Sequence, residues 1–146
     1  MKQNTAPILL VEDNISDAKL TTLALKGANI SNQVVHAQGG QEALDYIFCQ
    51  GEFASRKIED KPCLILLDLK MPKVNGIEVL QKIKADDRTK NIPVVVFSSS
   101  PENADLKECY RLGVNSYIVK PMEYEEFQSV VKNTGLYWIF INQLPQ

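Results

Sequence analysis

The sequence predicts an α/β fold, a doubly wound parallel sheet of five strands with helices on both faces. Three observations carry that expectation. Five short apolar or β-branched runs, at 8–11, 33–37, 63–67, 94–97 and 116–119, alternate with five stretches of helical apolar spacing. The run Cys63-Leu64-Ile65-Leu66-Leu67 is apolar at every position rather than at every second one, as in a strand covered on both faces. Parallel neighbours need helical crossovers, and right-handed crossovers leave few topologies. The expected strand order is 2-1-3-4-5, with its switch point between the first and third strands.

Each element has a local reason. Ile8-Leu9-Leu10-Val11 is the first strand and runs into Glu12-Asp13. Asn14 or Ser16 can cap the next helix, whose apolar side is Ile15, Ala18, Leu20, Leu23 and Ala24; Gly27 suits its C-terminal cap. Gln33-Val34-Val35-His36-Ala37 is the second strand. His36 is the only histidine and has no second metal ligand at a useful spacing. Gly39-Gly40 opens a helix carrying Ala43, Leu44, Ile47 and Phe48. The polar stretch 50–61 is longer than a usual connection and either extends that helix or forms a loop. After the third strand, a Pro72/Gly76 loop leads into a helix with Ile77, Val79, Leu80 and Ile83. Val94-Val95-Val96-Phe97 enters Ser98-Ser99-Ser100, and Pro101 fits the first turn of the following helix, which Gly113 ends. Ser116-Tyr117-Ile118-Val119 runs into Lys120-Pro121. The last helix carries Tyr124, Phe127, Val130 and Val131, has acids in its first turn, and is expected to close at Gly135.

Composition narrows the function classes. The 146 residues suit one domain, large enough to bury about 70% of the extended chain's surface. Sixteen basic and 18 acidic residues give a net charge of −2 with no basic stripe, so nucleic acid is not an expected partner. No segment reaches the roughly 18 apolar residues that cross a bilayer, so no membrane association is expected. The start, Met1 to Val11, is too short in apolar residues for a leader, and a cytoplasmic location is the expectation. Cys49, Cys63 and Cys109 are odd in number, lack CxxC spacing and read as free thiols.

The chemistry gathers at the strand ends. In this architecture ligands bind beyond the carboxyl ends of the strands. The order 2-1-3-4-5 sets the ends of strands one and three side by side, so Glu12, Asp13 and Asp68 crowd one crevice. Asp68 alone reads equally as turn punctuation. Two carboxylates ~5 Å apart repel by roughly 3 kcal/mol at an effective dielectric near 20. Either some are protonated at neutral pH, or a cation is bound. An all-oxygen cluster with few protein ligands suits Mg²⁺ sharing a phosphate. Ser98 adds a hydroxyl and Lys120 an ammonium. A carboxylate nucleophile, a Mg²⁺ seat, a hydroxyl and a cation are the parts phosphoryl transfer needs.

From about Ala6 to Asn133 the chain resembles the receiver domain of two-component response regulators. The residues that carry the resemblance are Glu12-Asp13, Asp68 with Met71-Pro72 and Gly76, Ser98, and Tyr117 with Lys120-Pro121. The resemblance implies a flavodoxin-like fold. It implies that Asp68 is the phosphoacceptor, taking its phosphoryl group from the phosphohistidine of a sensor histidine kinase. It implies Mg²⁺ held by Glu12, Asp13, Asp68 and the backbone carbonyl of Lys70, with Lys120 pairing to the phosphoryl oxygens through a cis Lys120–Pro121 bond. Ser98 stands where the family more often has Thr; its hydroxyl is expected to swing to the phosphoryl group while Tyr117 fills the space left. An ordinary half-buried strand aromatic is the other reading of Tyr117. Lys70 and Ser100 flank the family's water route to the phosphoaspartate. Such a protein is a signalling phosphoacceptor with at most slow autodephosphorylation.

Two other classes use similar parts. A flavin-binding relative of this fold needs a Gly- or Ser/Thr-rich phosphate loop after the first strand, where acids stand instead. A Mg²⁺-dependent aspartyl phosphatase resembling haloacid-dehalogenase enzymes has a second acid two residues after its nucleophile, and here that residue is Lys70. The stretch 50–61, Ser98-Ser99-Ser100, the 112–117 run and Gly135-Leu136-Tyr137-Trp138 resemble the stand-alone regulators paired with bacterial and cyanobacterial phytochromes. The expected division is a receiver domain at 1–134 and an apolar extension at 135–146. Residues 136–141 are six consecutive apolar positions that either pack on their own domain or form a homodimer contact. Output is expected through contact with a downstream protein.

Overall fold

The computed structural model describes residues 5–144. Met1 to Asn4, part of the start read above as too short for a leader, lie outside the described residues, as do Pro145 and Gln146 of the extension. Strands β1 (Ile8–Val11), β2 (Val34–Ala37), β3 (Leu64–Leu67), β4 (Val94–Ser98) and β5 (Ser116–Val119) alternate with helices α1 (Ile15–Gly27), α2 (Gly40–Ile47), α3 (Gly76–Ala85), α4 (Asn103–Leu112) and α5 (Tyr124–Leu136). All neighbouring strands are parallel and their order is 2-1-3-4-5, the doubly wound α/β sheet expected.

Successive residues of a strand face opposite sides, so the sheet sorts one chain into two cores. Leu9, Val11, Ile65, Leu67, Val94 and Val96 face α2, α3 and α4, where Leu44, Ile47, Val79, Leu80 and Ile83 meet them. Ile8, Leu10, Leu64, Leu66, Val95 and Phe97 face α1 and α5, against Leu25, Phe127 and Val131. Phe97 and Phe127 pack edge to face, with centroids 5.1 Å apart. Strands β1, β3 and β4 are buried at every position, whereas β2 and β5, the sheet edges, are mostly half-buried. Each buried Leu, Ile or Val contributes about 1.5–3 kcal/mol, which is why unbroken apolar runs suffice to define the central strands.

Several boundaries are set by contacts rather than by local preference. Asn14, not Ser16, caps α1, its side chain accepting the Asp17 N–H at 3.0 Å. The 50–61 stretch is a loop with one 3₁₀ turn at Gly51–Phe53. Arg56 pins it, lying 3.7 Å above the Tyr46 ring and donating to the carbonyls of Tyr46 and Asp60. Pro101 does not enter α4. Glu102 is extended and the helix begins at Asn103, because Ser100 Oγ holds the preceding turn by bonding Asp105 Oδ2 at 2.8 Å.

Gly135 does not close α5. The helix runs through it to Leu136 and ends in a wide π-helical turn at Tyr137–Ile141, closed by Asn142 N–H to the Tyr137 carbonyl at 2.7 Å. A Cβ at 135 would stand 2.6 Å from Ile30 Cδ1 and 2.7 Å from Leu25 Cδ2, so this glycine serves close packing. In the final turn Ile139 is buried against the α1/α5 core, with Trp138 and Phe140 partly covered. Tyr137 and Ile141 point outward, 45% and 61% exposed. The three cysteines are free; burial pushes the Cys63 and Cys109 thiols up to about 11. Among the described residues no helix is long and apolar enough to cross a membrane.

Candidate functional site

Parallel strands bring their carboxyl ends to one edge of the sheet, and three side chains stand there on locked backbones. Glu12, Asp68 and Lys120 are each the first residue past a strand. Their N–H groups still bond the neighbouring chain: Glu12 to the Ala37 carbonyl at 3.0 Å, Asp68 to Val11 at 3.0 Å and Lys120 to Ser98 at 2.8 Å. The loop after Asp68 is equally constrained. Gly76 donates to the Leu69 carbonyl, and a Cβ on it would lie 2.2 Å from the Asp68 carbonyl oxygen. Only glycine lets α3 start this close to the β3 end. Asn75 and Glu78 then form a reciprocal capping box.

Glu12 and Asp68 are 2% and 5% exposed, Asp13 is exposed, and one carboxylate oxygen from each lies within 4.8 Å of the others. Among the described residues, Asp68 Oδ1 is the buried side-chain oxygen with no hydrogen-bond partner. Buried oxygens are nearly always satisfied. A carboxylate with an unpartnered oxygen, beside two further carboxylates, is a hard, oxygen-only donor set, and the residues fit the divalent cation expected of them.

Lys120 balances this charge. Its ammonium, on a side chain only 9% exposed, donates to Glu12 Oε1 at 2.6 Å and Asp17 Oδ2 at 2.9 Å and lies 3.9 Å from Asp68 Oδ2. Burial raises Glu12 to about 7; the Lys120 bond opposes this, and the charge on Asp68 adds to it. Burial alone would lower Lys120, but its bonds to Glu12 and Asp17 and the charge on Asp68 hold it above its ordinary value. The Lys120–Pro121 bond is trans, against expectation, as no described peptide is cis. Trans is the intrinsically favoured form by ~0.5–1 kcal/mol, and this backbone already delivers the ammonium to the acids.

Ser98 and Tyr117 form a second group beside the acids. Ser98 is fully buried and its Oγ accepts the Ser100 N–H at 3.3 Å. Tyr117 is half-buried and its hydroxyl donates to the Ser100 carbonyl at 2.8 Å, a burial that pushes its pKa up. Lys70 turns away from the acids. Its ammonium is 3.8 Å from Asp105 Oδ2 and 4.0 Å from Glu102 Oε1, at the start of α4. His36 offers no chemistry here; its Nε2 bonds the Glu12 carbonyl at 2.7 Å.

Glu12, Asp13, Asp68 and Lys120 thus converge, Ser98 and Tyr117 meet through Ser100, and Lys70 bridges to α4. Two acids were missed in sequence reading. Asp17 and Asp105 sit in first helical turns, where an acid is ordinarily explained by the helix dipole. The one available signal for Asp17 was a third acid a single helical turn beyond Glu12-Asp13.

Comparison with known proteins identifies the family. The family model for the response regulator receiver domain matches residues 8–132. A probable methanogenesis regulatory protein of Methanothrix harundinacea, FilR2, is 38% identical over 138 residues, 94% of this chain and 86% of its own. Response regulator Rcp1 of Synechocystis is 36% identical over 138 residues, 94% of this chain and 92% of its own. The structure of Rcp1 with bound Mn²⁺ superposes with a TM-score of 0.89 at 35% identity, over 97% of this chain and 99% of that one. The phosphorylated cyanobacterial phytochrome response regulator RcpA gives a TM-score of 0.90 at 39% identity, over 98% of this chain and 100% of that one. By strand order and by sequence, the chain belongs to the response regulator receiver family.

Proposed function

We propose that the protein accepts a phosphoryl group on Asp68 from the phosphohistidine of a partner sensor histidine kinase and signals through a conformational switch. The observation that best supports this is the buried Asp68 carboxylate, whose Oδ1 has no partner, which brings an oxygen within 4.8 Å of Glu12 and Asp13, and whose Oδ2 lies 3.9 Å from an ammonium. Glu12, Asp13, Asp68 and the backbone carbonyl of Lys70 would hold Mg²⁺, whose charge offsets that of the phosphoryl oxygens. A carboxylate oxygen of Asp68 forms the new P–O bond. The donor's P–N bond breaks and its electron pair returns to the imidazole. The sheet fixes the Asp68 backbone, so the carboxylate meets the donor with little orientational freedom left to lose. Lys120 neutralises charge developing on the transferring group. Ser98 then turns its hydroxyl to a phosphoryl oxygen, breaking its bond to Ser100, and Tyr117, tied to that same residue, follows. Hydrolysis returns Asp68 slowly, so the chain acts as a signalling phosphoprotein rather than a metabolic enzyme.

The likeness to the phytochrome response regulator RcpA supports a phytochrome as the kinase's light-sensing part. The exposed Tyr137 and Ile141 support homodimerisation through the final turn, and output passes to a downstream protein by contact. The test is incubation with Mg²⁺ and a small phosphodonor, read by intact mass. Gain of one phosphoryl group by the wild type, lost in Asp68→Asn, is the expected result; no gain by the wild type overturns the reading.

A further inference from the structure

We propose that Asp17 is a positioning residue that tethers Lys120 away from Asp68, so that freeing this lysine is part of accepting a phosphoryl group. The inference rests on the phosphoacceptor reading above. An ammonium has three donors. Two are committed, to Glu12 Oε1 at 2.6 Å and Asp17 Oδ2 at 2.9 Å, while Asp68 Oδ2 at 3.9 Å is within ion-pair range and beyond a hydrogen bond. Both ends of the tether are fixed. The Asp17 N–H is capped by Asn14 Oδ1 at 3.0 Å, and its carbonyl accepts the Thr21 hydroxyl at 2.8 Å. The Lys120 backbone is held by the Ser98 carbonyl. The ammonium therefore moves between Asp17 and Asp68 by side-chain torsions alone.

The two anchors differ in one respect. Glu12 belongs to the cluster of carboxylates that can share a cation, and a cation there competes with Lys120 for its charge. Asp17 lies outside that cluster, so its negative charge stays available to Lys120 whatever occupies the cluster. It is the acid that competes with a phosphoryl group on Asp68 for the lysine. Its side chain is 28% exposed, so solvent screens the pair and the competition is modest, about three- to tenfold in an equilibrium or a rate.

Beryllofluoride, a non-covalent phosphoryl mimic, tests this with Mg²⁺ present by titration calorimetry, alongside the rate of phosphoryl gain from a small phosphodonor. Asp17→Asn keeps the shape and removes the charge. It should bind beryllofluoride about three- to tenfold tighter and gain phosphoryl correspondingly faster, with Asp17→Ala in agreement and Asp17→Glu returning towards wild type. A merely structural role for Asp17 predicts loss rather than gain. Wild-type-like or weaker binding by folded Asp17→Asn and Asp17→Ala, with a competent wild type, overturns the tether alone. A wild type that neither binds beryllofluoride nor gains phosphoryl overturns the phosphoacceptor reading, and the tether with it.

Discussion

Replacing Asp68 by Asn should make the metal-free protein more stable. At an effective dielectric near 20, carboxylates within 4.8 Å of each other repel by at least about 3.5 kcal/mol, and Asp68 has both Glu12 and Asp13 within that distance. Its attraction to Lys120 at 3.9 Å returns about 4.3 kcal/mol on the same scale. The charge on Asp68 is therefore net unfavourable by ~3 kcal/mol before solvent screening of the exposed Asp13, and its Oδ1 is also buried without a partner. Lys120 keeps Glu12 and Asp17 when the charge is gone. A gain of about 1–3 kcal/mol is expected after screening. The assay is urea unfolding with chelator at pH 8, above the value of about 7 to which burial raises Glu12, so that Glu12 is ionised. Adding Mg²⁺ at ten times its dissociation constant should return ~1.4 kcal/mol to the wild type and little to the variant. Equal or lower stability of Asp68→Asn in chelator would refute the electrostatic account of this site.

Four further outcomes follow from particular contacts. Gly76→Ala should cost about 1–3 kcal/mol in urea unfolding and weaken Mg²⁺ binding, because its Cβ meets the Asp68 carbonyl oxygen at 2.2 Å rather than a flexible side chain. Lys70→Ala should change the lifetime of the phosphorylated form, measured by loss of the added mass, since it removes the cation that Asp105 and Glu102 hold beside the site. Asp86 is held down to about 2 by hydrogen bonds from Arg88, so its contribution is present above its ordinary range near 3.8 and is lost as pH falls through about 2; Asp86→Asn should flatten that part of an acid-unfolding curve. Glu at both Tyr137 and Ile141 should halve the mass in solution while leaving the fold intact, whereas truncation after Gly135 would also remove the buried Ile139.

The parts of this molecule legible in its sequence are those whose cause is local. Unbroken apolar runs such as Leu64–Leu67 can be satisfied only between two layers of helices, so the sheet and its order were predictable, and the residue after each strand inherits a known place. Glu12, Asp68 and Lys120 were found on that ground. What misled was punctuation whose meaning is tertiary. Gly135 reads as a helix stop at ~1 kcal/mol below Ala in propensity, yet the helix runs through it to Leu136, and Ile30 and Leu25 occupy the space of its side chain. Pro101 reads as a first-turn residue, but the Ser100–Asp105 bond decides where α4 begins. The tether at Asp17 and the outward turn of Lys70 depend on where long side chains find partners across the sheet, which no spacing encodes.

The locked amides beneath Glu12, Asp68 and Lys120 make the floor of the site stiff. A new group on Asp68 cannot be accommodated by sliding strands, since each site backbone is bonded to its neighbour by an N–H at 3.0 Å or less. The compliance lies on the rim, where Ser100, Pro101 and Glu102 form a short loop held by side-chain bonds from Ser98, Tyr117 and Asp105. On the phosphoacceptor reading, a push at the floor would be delivered to that rim, at the start of α4.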